Sequence, residues 1–169
     1  DDRVEWAVPI SLGDSHKGYR VMGTTLSYRD VDLLSQQFAC YLQQDLGLKK
    51  GERIALMMPN TLQYPIAIFG ALRAGLIIVN VNPLYTAREL EHQLIDSGAK
   101  AIIILENFAV NLENILSKTK IETVITTTIG DMLGGLKGAI VNLVVRKVKK
   151  MVPKYNLPNA IPLKKILKE

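Results

Sequence analysis

Ala101-Ile102-Ile103-Ile104-Leu105 is an unbroken apolar run set between Lys100 and Glu106. A strand with one wet face alternates apolar and polar residues, so a run without alternation has both faces covered. Reading outward, residues 53–58, 77–81 and 123–127 give comparable runs. The four begin 24, 24 and 22 residues apart. Between them lie helix-length segments at 60–74, 87–97 and 108–118. Thr86, with Glu89 three residues on, opens the second of these as a capping box. Pro65 either sits in the first turn of its helix or kinks it. Strand and helix alternating at this spacing predict an α/β fold, a parallel sheet with covering helices in Rossmann-like repeats.

On the N-terminal side, residues 19–22 and 25–28 predict a short hairpin turning at Gly23. Ser27 and Asp30 have N-cap and N3 spacing and open a helix to about Leu46, with Val31, Leu34, Phe38, Tyr41 and Leu42 on its apolar face and Gly47 as its stop. Cys40 lies in that helix and reads as a buried, inert thiol. In the next helix Ala67, Gly70, Ala71 and Ala74 form a stripe of small side chains suited to close packing. Residues 62–81 are mostly apolar, but Pro65, Arg73, Gly75 and Asn80 interrupt them, which predicts helix, turn and strand rather than a membrane span.

The whole chain has 169 residues, 48% apolar and 22% charged, enough for one domain with a small appendage and incompatible with wholesale disorder. A single cysteine excludes an intrachain disulfide framework, and two distant histidines, His16 and His92, argue against zinc. The chain begins at Asp1 with no basic-then-apolar leader, from which a trimmed segment and a reducing, cytoplasmic location are expected.

Charge divides unevenly. The first 131 residues hold 12 basic and 15 acidic groups, net −3; the last 38 hold 9 and 1, net +8. After Gly130, the glycines at 130, 134, 135 and 138 predict a flexible link. Residues 139–152 then form a helical wheel with Val141, Val144, Val145, Val148, Met151 and Val152 on one side and Asn142, Arg146, Lys149 and Lys150 opposite. Such a basic amphipathic helix suits an anionic membrane surface, with Arg146, Lys147, Lys149 and Lys150 as contact candidates. It equally suits docking on its own protein with the lysines in water. Pro153, Pro158 and Pro162 impose extended structure beyond it. Nucleic acid is disfavoured, because no stacking aromatics or readout motif accompany the charge.

Catalytic motifs fail on spacing. Residues 130–138 imitate a Walker A loop, but Leu136 stands where its lysine belongs, and Lys137 is followed by Gly138 rather than by Ser or Thr. No GxGxxG follows a strand and no GxSxG elbow is present. His92 beside Glu91 reads as a solvated helix face. Asn80, Asn82, Tyr85 and Arg88 gather at a strand's carboxyl end, where such sheets bind ligands, yet Asn and Pro83 are also ordinary turn residues.

Longer words carry a resemblance. Leu26-Ser27-Tyr28-Arg29-Asp30, Gly51-Glu52-Arg53-Ile54-Ala55-Leu56-Met57-Met58-Pro59-Asn60, Phe69-Gly70-Ala71-Leu72-Arg73-Ala74-Gly75 and Val79-Asn80-Val81-Asn82-Pro83-Leu84-Tyr85-Thr86-Ala87-Arg88-Glu89-Leu90 resemble the start of adenylate-forming, AMP-binding enzymes. With Glu91-His92-Gln93-Leu94, Asp96-Ser97-Gly98-Ala99-Lys100 and Val152-Pro153-Lys154-Tyr155, the chain is similar to the bacterial long-chain fatty-acid–CoA ligases (acyl-CoA synthetases). The match runs from about residue 19 to 167, while 1–18 match poorly.

The resemblance implies three regions: 1–18, an α/β N-terminal subdomain at 19–130, and 131–169 as helix and linker toward a missing catalytic region. It implies ATP, magnesium and coenzyme A as cofactors and a long-chain fatty acid as substrate for the full-length enzyme. It assigns no catalytic, cofactor-binding or metal-binding residue here, because the phosphate loop and catalytic lysine of that family come later in the chain. The expectation is therefore a scaffold portion, inactive alone, whose partner is the missing C-terminal remainder and which exposes an apolar face where that remainder docks. The alternative is a stand-alone peripheral membrane-binding α/β module.

Overall fold

The computed structural model describes residues 26–168 and, as backbone, the strands β1 (Ala7–Ile10) and β2 (Arg20–Gly23). β1 and β2 pair antiparallel, Ala7 opposite Gly23 and Ile10 opposite Arg20. This corrects the expected hairpin: 20–23 is a strand, but its partner precedes it. Tyr28, expected to end the second arm, instead starts α1 (Tyr28–Gln44). The reason is local, since Ser27 and Asp30 form a complete capping box. The Asp30 backbone N–H donates to Ser27 Oγ at 3.2 Å, and the Ser27 N–H donates to Asp30 Oδ2 at 2.8 Å.

The remaining elements are β3 (Arg53–Met57), α2 (Gln63–Arg73), β4 (Ile77–Asn80), α3 (Ala87–Ser97), β5 (Ala101–Leu105), α4 (Ala109–Glu113), β6 (Thr123–Thr127), α5 (Gly135–Leu143), β7 (Ile161–Pro162) and α6 (Leu163–Ile166). Five strands form one parallel sheet in the order β4-β3-β5-β6-β7. β5 is buried at all five positions, as its lack of alternation requires. Its side chains divide between two cores. Ala101, Ile103 and Leu105 join Phe38 of α1, Ile66 of α2 and Ile166 of α6. Ile102 and Ile104 join Leu90 and Leu94 of α3 and Leu112 of α4 on the other face.

α2 begins at Gln63, so Pro65 falls in its first turn, where a missing N–H leaves no internal bond unmade. The small-residue stripe packs against α1: a Cβ on Gly70 would stand 2.6 Å from Phe38 Cδ1 and 3.1 Å from the Ser35 carbonyl. The segment expected to be one helix at 108–118 is broken. Three-residue 3-10 turns, Glu106–Phe108 and Leu116–Lys118, flank α4, with the Ile115 N–H donating to the Leu112 carbonyl at 3.0 Å. Cys40 is exposed, contrary to the burial expected of it. α1 buries Phe38, Ala39 and Leu42, which leaves position 40 on its outer side.

The two capping boxes predict an acid response. Hydrogen bonds from the Ser27 hydroxyl and backbone hold the Asp30 carboxyl below its ordinary pKa, and Thr86 does the same to Glu89, its backbone N–H first. Carboxyls with lowered folded-state pKa values stabilise the fold above their unfolded pKa values, about 3.9 and 4.3 for Asp and Glu, and that contribution is lost as pH falls through the lowered ones. Thermal melts between about pH 6 and pH 2.5 should show a falling Tm. The fall should be smaller in a Ser27→Ala, Thr86→Ala variant, which has already lost the caps.

Candidate functional site at the carboxyl edge of the sheet

A chain that runs β3 to β4 in one direction and then crosses back to β5 has its switch point between the carboxyl ends of β3 and β5. In doubly wound sheets that is where ligands bind. Here β5 runs directly into Glu106, whose side chain is only 2% exposed. A carboxylate so buried requires a counter-charge and donors. Arg146 supplies both, its Nε donating to Oε1 at 2.9 Å and its Nη2 to Oε2 at 2.5 Å. The neighbouring Glu106 carboxylate holds the Arg146 proton more tightly than usual. Burial, reinforced by Glu106, likewise pushes the Tyr155 phenol above its ordinary value.

Arg146 arrives on a π-helical turn, Val144–Val148, that continues α5. In an α-helix four residues overshoot a full turn by about 40°. The wider π turn removes most of that overshoot, so Arg146 stays in line with Asn142 and Gly138 on the inner side. Asn142 Oδ1 accepts from the Gly130 N–H at 2.8 Å, and Asn107 Nδ2 donates to the Met151 carbonyl at 3.1 Å. Gly130 and Gly138 meet backbone to backbone: a Cβ on Gly138 would lie 2.3 Å from the Gly130 carbonyl oxygen. Two of the four glycines expected to form a flexible link, Gly130 and Gly138, therefore form a tight crossing.

These bonds turn the expected amphipathic helix around. Its regular part begins at Gly135 rather than 139, and the π turn ends at Val148. Asn142 and Arg146 bond to the body, while the exposed apolar residues are Leu136, Ile140, Leu143, Val148 and Met151, with Val144 about one-third exposed. Val141 and Val145, expected with the apolar face, are half-buried toward the body. Lys147, Lys149 and Lys150 are exposed, and among the described residues no ion pair engages them. Lys150 ends the helical run with a left-handed φ of 49°.

The other sequence candidates have structural employment. The Asn80 side chain accepts from the Tyr64 hydroxyl at 3.0 Å, and Asn82 Oδ1 accepts from the Leu84 N–H at 3.0 Å, closing the turn before α3. The Tyr85 carbonyl accepts from Asn111 Nδ2 at 3.0 Å. Glu91 pairs with Lys118 at 3.1 Å rather than with His92, which is exposed. Tyr85, Arg88 and His92 border only an open depression of about 580 Å³ on α3.

Among the described residues no three His, Cys, Asp or Glu side chains converge as a metal site would require. None of the described helices is long and apolar enough to cross a membrane. Sequence reading missed Glu106; its available signal was an acid placed directly after a fully apolar strand.

The AMP-binding enzymes, as a family, match residues 14–160 of this chain. The long-chain-fatty-acid–CoA ligase of Salmonella typhimurium is 59% identical over 146 residues, and that of Haemophilus influenzae 55% over 149. These alignments cover 86% and 88% of this chain, but 26% of each relative's length. Among solved structures, an anthranilate CoA ligase superimposes with TM-score 0.64 at 19% identity, covering 88% of this chain and 23% of that one. A benzoate CoA ligase from Burkholderia xenovorans gives 0.62 at 22%, covering 90% and 24%. Both support the fold alone. On a family match that spans β3, β4, β5 and β6 of the parallel sheet and the helices α1 to α5, this chain belongs to the AMP-binding enzymes, and in sequence it is similar to their long-chain-fatty-acid–CoA ligases.

Proposed function

We propose that this chain is the N-terminal portion of a long-chain fatty-acid–CoA ligase. The parent enzyme joins a fatty-acid carboxylate to the α-phosphate of ATP, releasing pyrophosphate, and coenzyme A thiol then displaces AMP to give the thioester. The observation that carries this reading is 59% identity over 146 residues to a ligase of which that stretch is 26%. No step is assigned to magnesium through residues of this chain, since among the described residues no three His, Cys, Asp or Glu side chains converge. The chain contributes scaffold: a sheet held rigid by two cores, with half-exposed apolar side chains such as Phe69 and Leu72 on α2 and Ile77 on the edge strand β4 available to the remainder of the enzyme.

A second reading concerns location. The outward apolar residues and the lysines of 135–151 favour peripheral contact with an anionic membrane, on the cytoplasmic side where the parent would collect fatty acid. Lys147, Lys149 and Lys150 are the principal candidates, and Arg146 contributes only the half of its side chain that Glu106 leaves exposed.

Acyl-CoA synthesis from ATP, palmitate and coenzyme A tests the main reading. The isolated chain, verified as folded by circular dichroism, is expected to give no thioester. A chimera in which it replaces the matching quarter of the Salmonella ligase is expected to turn over. A folded but inert chimera would remove the assignment.

A further inference from the structure

We infer that α5 and its π turn enter the interface of an anionic phospholipid bilayer through an apolar ridge of Leu136, Ile140, Leu143, Val144 and Val148. This rests on the membrane contact proposed above and deepens it: the lysines alone would hold the chain at the headgroups, whereas the ridge goes between them.

Three observations converge. First, the ridge faces out. Leu136 is 76% exposed, Val148 69% and Leu143 58%, an unusual state for a helix whose inner side carries an asparagine and an arginine. Secondly, the orientation is fixed. The Asn142–Gly130 bond, the Gly130–Gly138 crossing and the two-pronged Arg146–Glu106 pair anchor the inner side at successive turns. Rolling the helix to hide its ridge would break all three and strand a buried carboxylate. The π turn keeps the last anchor in register with the first, and so keeps Val148 in line with Ile140 and Val144.

Thirdly, the segment that carries the ridge is almost wholly of one sign of charge. After Asp131 the only acid is Glu169, against nine Lys and Arg. Lys137 and Lys147 border the ridge, Lys149 and Lys150 follow it, and beside it Asn142, Arg146, Lys147 and Lys164 line a shallow hollow of about 400 Å³. An apolar ridge edged by ammonium groups complements a layer with acyl chains below and phosphates above. A protein groove covering the same ridge would have to neutralise that border as well.

The test is co-sedimentation of the 169-residue chain with equimolar phosphatidylcholine and phosphatidylglycerol vesicles, at low and high salt. It is paired with an environment-sensitive dye on Val148→Cys in a Cys40→Ser background. Binding should weaken but persist at high salt, and the dye emission should shift to the blue and be quenched by a quencher placed on the acyl chains. Ile140→Ser with Val148→Ser should reduce affinity about tenfold or more. Lys149→Glu with Lys150→Glu should weaken mainly the salt-sensitive part.

If the serine variant binds as the parent does and salt releases both, insertion is wrong while membrane contact stands. If the parent binds no vesicles, the membrane reading fails and insertion with it. A blue shift on self-association, or on adding the remainder of a relative, with none on vesicles, would make the ridge a protein interface and overturn the inference. The serine substitutions lie on the surface; should they nonetheless unfold the chain, the single dye position still reports insertion.

Discussion

Arg146→Ala is expected to destabilise the chain by about 2–4 kcal/mol, because it leaves Glu106 charged and enclosed without its donors. The estimate sits below that for a fully enclosed pair, since half of the Arg146 side chain is in water. Arg146→Lys should recover only part of the loss: an ammonium supplies the charge but not the two-pronged geometry. Urea denaturation gives the magnitude. Hydrogen exchange should show the loss concentrated in residues 135–148, which the pair anchors. A change below about 0.5 kcal/mol, the ordinary range for an exposed site, would mean that Glu106 finds water or another partner.

Gly138→Ala provides a test in which two effects oppose. Position 138 is inside α5, where alanine normally gains about 1 kcal/mol over glycine. Here the new Cβ would meet the Gly130 carbonyl oxygen at 2.3 Å, and backbone on both sides cannot swing aside as a side chain can. Overpacking of this kind costs about 3 kcal/mol when the neighbour is rigid, so the net change should be a clear loss. Gly70→Ala, where the obstacle includes the movable Phe38 ring, should cost less. A stabilised Gly138→Ala would show that the crossing is loose and α5 poorly anchored.

What could be read from residues alone depended on how local the cause was. β5, β6 and α3 match their expected bounds residue for residue. An apolar run needs no knowledge of its partners to be a buried strand, and the Thr86–Glu89 box marks its own helix start. The small-residue stripe was legible for the same reason, as Gly70 can serve little besides close approach. The hairpin at 19–28 was misplaced because Gly23 looks like a turn, and its supposed second arm overlapped the helix start that Ser27 and Asp30 already marked. Cys40 was assigned to the interior because no histidine or basic cluster adjoins it in sequence, which bears on reactivity and not on burial; Phe38, Ala39 and Leu42 set the buried side.

The candidate site was less legible than the fold. Periodicity revealed that residues 139–152 are amphipathic, but a moment does not say which side meets the protein. That was decided by Glu106, forty residues away, and by a π turn that no simple wheel contains. Valines expected to pack together were divided between the two sides, and the arginine read as solvent-facing became an anchor. The four basic candidates thus separate: Lys147, Lys149 and Lys150 are exposed with no ion pair among the described residues, while Arg146 pairs with Glu106.

The measurement that bears most directly on the central claim is acyl-CoA formation by the chain alone and by the Salmonella chimera that carries it. The account predicts thioester from the chimera and none from the folded isolated chain, with chemistry residing in the remainder that this scaffold supports. Thioester made by the 169 residues alone, with ATP, palmitate and coenzyme A, would contradict it.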